Sequence, residues 1–223
     1  MKKQVVLLVC LLISAAWGGG VGGESIATPV RSNSNHLSAD IPEPAADLSN
    51  LVLTLQDFPP GFTKVPLDPL KNKDSFLPDF KPASLFGYLK NDDQPFQIVV
   101  GFTTQLSNQI DRAKFDAAIS EGSFAQVFYQ YSKNSNKEAQ FTNLTALSLE
   151  DKIGEVSGGW RTQARMPGET ANFEFAVFRR GKIGSFMIIM YFDGNKPPVT
   201  ISEVARQLDS RIMELKPDLA QPQ

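Results

Sequence analysis

Four arginines in two short segments are the residues of this chain best suited to bind an anionic group. Arg161 and Arg165 belong to the segment WRTQAR, and Arg179 and Arg180 belong to FRRGK. Guanidinium groups bind carboxylates and phosphates through paired hydrogen bonds. If both segments are neighbouring strands, these side chains could cluster, with Trp160 as an adjacent apolar contact. The alternative, which the frequency of charges on sheet edges favours, is that they face solvent and protect an edge.

Carboxylates are the second group with chemical potential. Glu174 stands between Phe173 and Phe175. Burial among such apolar neighbours would raise the pKa of its carboxyl group, which is typical of functional acids. Strand alternation favours the simpler interpretation that Glu174 lies on an exposed edge of a sheet.

The other acidic residues have structural interpretations. Asp92 and Asp93 fall in the segment NDDQ, which is typical of a solvated turn. Glu150 and Asp151 are adjacent, so on a strand they would point to opposite faces. The DGN segment at Asp193 lacks the ligand spacing of a calcium loop. A hydrolase that uses two carboxylates, as glycosidases do, stays an alternative.

Other catalytic groups lie outside the predicted domain. The single cysteine, Cys10, and the single histidine, His36, both precede it. The nucleophile systems that depend on an imidazole, and the usual thiolate and imidazole zinc sites, are therefore not expected. The sequence contains no Walker A motif either. We expect no catalytic residue, no metal and no cofactor.

The elements that would position the arginines are best defined in FAVFRRGKIGSFMIIMYF, residues 175 to 192. We predict a hairpin that turns at Arg180–Gly181, because glycine accepts the positive φ of a tight turn. Along the second strand, from Ile183 to Phe192, both faces are mostly apolar. Such a strand is covered on both sides. The predicted fold is therefore α+β, a largely antiparallel sheet with helices on both faces.

Two other interpretations of this stretch are less favourable. Its longest uncharged run has ten residues, whereas a membrane helix needs about 20. A phosphate loop would place its glycines at the start of a helix, but a strand follows Gly181. We therefore expect no transmembrane span in the mature chain.

Further strands are predicted at residues 84–90, 95–104, 144–150 and 155–166, and residues 132–140 are predicted to be loop. LVLTL, residues 51–55, fits either a short strand or one helical turn. In DFPPGF, residues 57–62, Pro60 and Gly61 fit a type II turn. Phe58 and Phe62 would then pack into the core; the alternative is that they line an apolar pocket with Phe76, Phe80 and Trp160.

Two helical regions follow from the hydrophobic spacing. The first begins at Ser107 or Asn108 and is divided at Gly122; its buried face is predicted to contain Phe124, Val127, Phe128 and Tyr131. The second begins with Thr200 and Glu203, which have the spacing of a capping box. Its predicted buried residues are Ile201, Val204, Leu208, Ile212 and Leu215.

The termini predict export. Lys2 and Lys3 precede an apolar run and small residues, the pattern of a signal peptide at residues 1–18 that is cleaved after Ala16 or Gly18. Residues 19–47 are rich in Gly, Ser and Pro and are predicted to be a disordered linker. A single domain, residues 48–216, and a tail, residues 217–223, complete the chain. The expected location is the periplasm or the extracellular space.

The charge of the chain argues against nucleic acid as a partner. The net charge is −2, and without Lys2 and Lys3 the mature chain has 24 acidic and 20 basic residues, a net charge of −4. Nucleic-acid-binding domains are usually strongly basic. Loss of Cys10 with the signal peptide also leaves no thiol for a disulfide, so a hydrophobic core must stabilise the domain.

Four segments carry a resemblance to a known group: DFPPGF, KIGEVSGGW (residues 152–160), the hairpin segment and VARQLDSRI (residues 204–212). They resemble exported bacterial proteins in which an LPPG turn, a Gly-Asp segment and an RRG hairpin precede a terminal helix. The resemblance covers about residues 48–216 and implies a PsbP-like α/β/α sandwich, which is also seen in extracellular sensor domains of some bacterial kinases. Glu155 stands where that group has Asp, and the resemblance implies no catalytic residue.

These observations predict an exported, non-catalytic domain that acts through a protein partner or an apolar small molecule. A small-molecule carrier or sensor and a carboxylate-dependent hydrolase are the alternatives. The resemblance adds a third, an extrinsic photosystem-associated protein, which would be in the thylakoid lumen of a photosynthetic source.

Overall fold

The structure is a computed structural model that describes residues 47–67, 81–91, 95–135, 139–150 and 152–221. Its strands are β1 (Phe62–Lys64), β2 (Ser84–Lys90), β3 (Gln97–Gln105), β4 (Gln140–Phe141), β5 (Thr145–Ala146), β6 (Val156–Met166), β7 (Glu169–Arg180) and β8 (Ile183–Phe192). Its helices are α1 (Gln109–Ser120), α2 (Ser123–Ser135), α3 (Ile201–Leu215) and α4 (Pro217–Ala220), and a 3-10 turn covers Leu55–Asp57. The α+β class predicted from the sequence is confirmed.

One sheet joins the described strands in the order β1-β2-β3-β8-β7-β6-β4, and β5 also pairs with β6. Each neighbouring pair is antiparallel. The hairpin of β7 and β8 lies inside the sheet, and its turn at Gly181 has a φ of 55°. The predicted hairpin is therefore confirmed, since β7 ends at Arg180 and β8 begins at Ile183.

The residues of β8 alternate between two hydrophobic clusters. Phe186 and Met190 belong to a first cluster, which also contains Phe115, Ile119, Phe124 and Phe128 of α1 and α2. Met187 and Ile189 belong to a second cluster, which also contains Ile201, Val204, Leu208 and Ile212 of α3. Burying each such side chain contributes about 1.5–3 kcal/mol to the stability of the fold. The chain has a single cysteine and therefore no disulfide within it, so these clusters are its main source of stability.

The break between α1 and α2 occurs where glycine was expected to divide the helix. Gly122 has a φ of 70°, and a Cβ there would lie 2.9 Å from Trp160 Nε1. Asn108 is the N-cap of α1, and its side chain accepts a hydrogen bond from the Asp111 amide. Two expectations are wrong. Val127 is 41% exposed, and α2 continues to Ser135, through residues predicted to be loop.

The predicted capping box of α3 is present. Glu203 Oε2 accepts a hydrogen bond from the Thr200 amide at 2.7 Å, and Thr200 Oγ1 accepts one from the Glu203 amide at 3.2 Å. The buried Gln97 side chain fixes the preceding residue, because it donates to the Val199 carbonyl at 2.7 Å and accepts from the Val199 amide at 3.2 Å. Leu215 is 40% exposed, so its predicted place on the buried face is wrong.

Both ends of the described chain contact the second cluster. Leu51 and Leu53 are buried there, and residues 51–54 form no strand. Phe58 and Phe62 are buried with ring centroids 4.9 Å apart, which confirms that they pack into the core. Residues 217–220, predicted to belong to a tail, instead form α4, because the Leu219 carbonyl accepts a hydrogen bond from the Lys182 amide at 2.7 Å.

Candidate functional site

Arg179 and Arg180, at the end of β7, are bound to carboxylates on two different helices. Arg179 donates through Nε and Nη2 to Asp116 of α1 at 2.7 and 2.9 Å, and through Nη1 to Glu155 at 2.5 Å. Arg180 donates to both carboxylate oxygens of Asp209 of α3, at 2.8 and 2.6 Å. These hydrogen bonds raise the pKa of both arginines above its usual range. The contacts join the tip of the hairpin to α1 and α3.

The segment KIGEVSGGW joins the same network through the Glu155 side chain and the Gly154 backbone amide. Glu155 Oε1 accepts a hydrogen bond from the Gly181 amide at 3.0 Å, and Asp209 Oδ2 accepts one from the Gly154 amide at 2.9 Å. Each carboxylate thus holds an arginine and a backbone amide. Three of the segments that carry the resemblance, KIGEVSGGW, the hairpin segment and VARQLDSRI, therefore meet in one set of hydrogen bonds with a clear structural role.

The other predicted binding residues lie elsewhere on the sheet. Arg161 and Arg165 are exposed on β6. The β6 residue that pairs with Arg179 is Val156, which lies roughly 17 Å along the strand from Arg161. Trp160 packs against the first cluster. The five candidates therefore do not form one cluster, and their role in binding stays a prediction.

A polar cleft opens around Arg161. It has a volume of about 480 Å³ and is lined by Thr142, Asn143, Thr145, Arg161, Thr162, Gln163, Asn172, Phe173, Glu174 and Tyr191; we call it the Glu174 cleft. The pairing of strands β6, β7 and β8 places Arg161 opposite Glu174 and places Asn172 between Gln163 and Tyr191. Since directly paired residues share a face of a sheet, these five side chains are on one face.

Glu174 is half-buried on β7, an interior strand. The interpretation as an exposed edge residue is therefore wrong. Tyr191 donates a hydrogen bond to Glu174 Oε1 at 2.9 Å. Burial raises the pKa of the Glu174 carboxyl group, while the Tyr191 hydroxyl and the charge of Arg161 act in the opposite direction. Burial and the neighbouring Glu174 also raise the pKa of Tyr191 far above its usual value, so its hydroxyl stays a donor.

Two amides extend the polar surface of the cleft. Gln163 Nε2 donates to Asn172 Oδ1 at 2.8 Å, and Asn172 Nδ2 in turn donates to Asp193 Oδ1 at 3.4 Å. These contacts fix the orientation of both amides. The remaining donors and acceptors of Gln163 and Asn172 are thereby available to a bound molecule.

A one-residue bulge forms the outer wall of the cleft. Phe141 pairs with Ala164, whereas Thr145 pairs with Arg161, so the edge strand contains one more residue than β6 between these pairs. Phe141 and Leu144 accordingly both pack against the first cluster, although residues three apart on a regular strand face opposite sides. Bulges redirect side chains at sheet edges, and this one places Thr142, Asn143 and Thr145 at the cleft.

The sequence identified Arg161 and Glu174 individually but missed the cleft. One signal could have paired Glu174 with Tyr191, because a turn at Gly181 fixes the register of the hairpin and brings these residues to the same face. The bulge of the edge strand could not be recognised in the sequence. It lies between strands of two residues each, too short for a periodic pattern. Of the predicted strand at residues 144–150, only Thr145–Ala146 forms.

Neither a metal site nor a membrane-spanning helix is found among the described residues. Within these ranges, no group of three or more His, Cys, Asp or Glu side chains could hold a metal ion. No helix in the same ranges is both long and apolar enough to cross a membrane. Asp92, Asp93, Asp151, Phe76, Phe80 and His36 lie outside the described residues, as does the side chain of Tyr131.

Comparison with family models, with curated proteins and with solved structures gives no match to this chain. The resemblance to PsbP-like domains therefore stays a prediction. It depends on turns and strands, and the contacts of Glu155 and Arg179 give those residues a structural role.

Proposed function

We propose that the protein is an exported, non-catalytic binding domain that holds a small polar molecule in the Glu174 cleft. The observation that carries this proposal is the concentration of hydrogen-bonding side chains around one open cleft of about 480 Å³. Small-molecule sites are concave and commonly measure about 300–1,000 Å³. A small polar ligand would exchange its contacts with water for contacts with these oriented groups.

The chemistry of the lining supports binding rather than hydrolysis. Glu174 is the only acid among the residues that line the cleft in the described part of the chain. A glycosidase of the usual kind needs two carboxyl groups at a fixed separation. Nine of the ten residues that line the cleft carry a polar side-chain group, so the cleft offers hydrogen bonds to a polar molecule, whereas the sequence led us to expect an apolar one.

An apolar pocket around Trp160 has little support. Phe58 and Phe62 belong to the second cluster, whereas Trp160 packs against the first. These aromatic rings therefore stabilise different parts of the core. A protein partner stays an alternative occupant for other surfaces of the domain.

The proposed fold is a PsbP-like α/β/α sandwich with helices on both faces of the sheet. Support comes from β8, whose residues alternate between a cluster with α1 and α2 and a cluster with α3. Arg179 and Arg180 support it further, since consecutive residues of a strand point to opposite faces and these two contact α1 and α3.

The proposed location is outside the cytoplasm. The signal-peptide pattern of residues 1–18 and the Gly- and Ser-rich residues 19–47 support a domain that is exported and tethered by a linker. The periplasm or the extracellular space is the expected compartment, and the thylakoid lumen is the corresponding one in a photosynthetic source.

The test is to find what the secreted protein retains. The full chain is expressed with its own leader, purified, dialysed against a small-molecule extract of the source cells, and studied by native mass spectrometry. Thr145→Arg places a long side chain in the cleft. Thr63→Arg adds the same side chain at an exposed position of β1 and is the matched control.

We expect the wild-type protein and Thr63→Arg to retain at least one compound at about one molecule per chain, and Thr145→Arg to retain at least tenfold less. Equal retention by all three proteins, or no retained compound, would contradict binding in this cleft. Chemical conversion of the retained compound would contradict the non-catalytic part of the proposal.

A further inference from the structure

The Glu174 cleft contains the guanidinium group of Arg161, for which the described residues offer no partner. Arg179, Arg180 and Arg211 each donate to a carboxylate. The Arg161 side chain makes no hydrogen bond or ion pair with any residue in the described ranges, and only its charge acts on Glu174 and Tyr191. An exposed arginine without a partner among these residues, at the wall of a polar cleft, is suited to hold a carboxylate through two parallel hydrogen bonds.

The carboxyl group of Glu174 is only partly satisfied. Its Oε1 accepts one hydrogen bond from Tyr191, and its Oε2 accepts none from the described residues. A carboxylate offers about four acceptor positions, and a half-buried one gains most from an additional donor. An ammonium group in the cleft would supply up to three donors and an opposite charge.

Arg161 and Glu174 face each other across β6 and β7 but do not bond to one another. They are directly paired, and their side chains are on the same face, yet they form no ion pair. Together they present one positive and one negative group to the same space. A polyanion such as a nucleic acid would be repelled by Glu174. A neutral sugar could form hydrogen bonds with both side chains, but it would supply no opposite charge to either.

We propose that the Glu174 cleft binds a small zwitterion of the α-amino acid type, with its carboxylate on Arg161 and its ammonium group on Glu174. This inference rests on the function proposed above and assigns its ligand class. Gln163, Asn172 and Thr145 provide neutral donors and acceptors for the remainder of the ligand. The volume of about 480 Å³ accommodates a molecule of this size with its first waters.

The experiment compares four probes by thermal unfolding of the full chain, each at about 10 mM: a mixture of α-amino acids with uncharged side chains, sodium acetate, methylamine hydrochloride and glucose. Binding to the folded state raises Tm, and a shift of 2–4 °C corresponds to roughly a fivefold excess of ligand over Kd for a domain of this size. Single amino acids from an active mixture are then titrated by calorimetry.

Three variants assign the contacts. Arg161→Gln and Glu174→Gln each remove one charge of the cleft, and we expect each to weaken the binding of the active amino acid at least tenfold. Arg165→Gln is the matched control, because Arg165 is exposed on the same strand and does not line the cleft. Its Kd should stay within twofold of the wild-type value. The Tm of each variant without ligand reports whether it folds.

A Tm shift for the amino-acid mixture alone, lost in the two cleft variants, is the expected result. The inference is overturned by no shift with the mixture, by equal shifts with acetate or glucose, or by equal losses in Arg165→Gln and Arg161→Gln. A compound retained from the cell extract, combined with no amino-acid shift, would leave the proposed function standing and remove only this ligand class.

Discussion

Glu174 and Glu203 are two glutamates whose surroundings shift the pKa of the carboxyl group in opposite directions. Glu174 is half-buried on β7, and burial raises its pKa. Glu203 is at the N-terminus of α3, where hydrogen bonds from Thr200 lower its pKa. The same side chain thus opposes folding in its charged form at one position and supports folding in its charged form at the other.

These directions predict opposite effects of pH on two conservative variants. Because the pKa of Glu174 is higher in the folded state, its ionisation destabilises the fold as pH rises from 4 to 7. Glu174→Gln should therefore be more stable relative to wild type at pH 7 than at pH 4.

Glu203→Gln is the control of opposite sign. The lowered pKa of Glu203 contributes stability above about pH 4.5, which is lost as pH falls. This variant should lose stability relative to wild type at pH 7 and less of it at pH 4. Urea unfolding at the two pH values measures both effects, and a change of the same sign in both variants would contradict the assigned environments.

Removal of Arg180 tests the role of the ion pairs at the hairpin tip. The Asp209 side chain is 5% exposed, so Arg180→Met would leave a buried carboxylate without its cation. We expect a loss of about 2–4 kcal/mol in the free energy of unfolding, because removing one partner of a buried ion pair leaves the other charge buried and uncompensated. Arg165→Met, at an exposed position, should change it by less than about 0.5 kcal/mol. Similar losses in urea unfolding would argue against a stabilising role for Arg180.

At the scale of the element, local signals in the sequence predicted the hairpin of β7 and β8 and the start of α3. The turn glycine, the apolar strand and the capping box each act over a few residues. The edge strands β4 and β5 could not be predicted in this way, because they are defined by their pairing with β6, which is distant in the sequence. Helix α4 was not predicted for the same reason, because its Leu219 carbonyl accepts a hydrogen bond from the Lys182 amide, which is far away in the sequence.

Two glycines with positive φ distinguish backbone strain from steric contact. Gly181 and Gly194 have φ values of 55° and 80°. A Cβ at Gly181 would lie 1.9 Å from the Leu219 carbonyl oxygen, whereas a Cβ at Gly194 would meet nothing within 4 Å. We expect Gly194→Ala to cost about 1–2 kcal/mol of stability. Gly181→Ala should cost at least about 1 kcal/mol more, because α4 must move.

Chemical denaturation of both variants measures this difference. Limited proteolysis at the C-terminus gives a second readout, since a displaced α4 should be cleaved faster in Gly181→Ala than in Gly194→Ala. Equal stability and equal cleavage would show that α4 does not depend on the hairpin tip.

Across the whole molecule, the two hydrophobic clusters and the ion pairs at the hairpin tip stabilise the fold, whereas the proposed binding residues lie apart from them. Arg179 and Arg180 were the first candidates for binding an anion, and their geometry fits a structural role. We propose that Arg161, on the same sheet, binds the ligand. Residue type alone could not separate these arginines, because the difference lies in Asp116, Glu155 and Asp209, which come from three separate segments of the chain.

The proposed export of the whole chain can be tested directly. Cell fractionation followed by N-terminal sequencing should recover a mature protein outside the cytoplasm that begins at Trp17 or Gly19, according to cleavage after Ala16 or Gly18. A cytoplasmic chain that retains Met1 would contradict the predicted signal peptide.

We propose that this protein binds its ligand in the Glu174 cleft. The most direct measurement is a crystal structure of the protein purified from its native envelope with the compound that mass spectrometry identifies. We expect that compound to lie between Arg161 and Glu174, in contact with both side chains. The same compound bound elsewhere on the molecule, with the cleft empty, would contradict it.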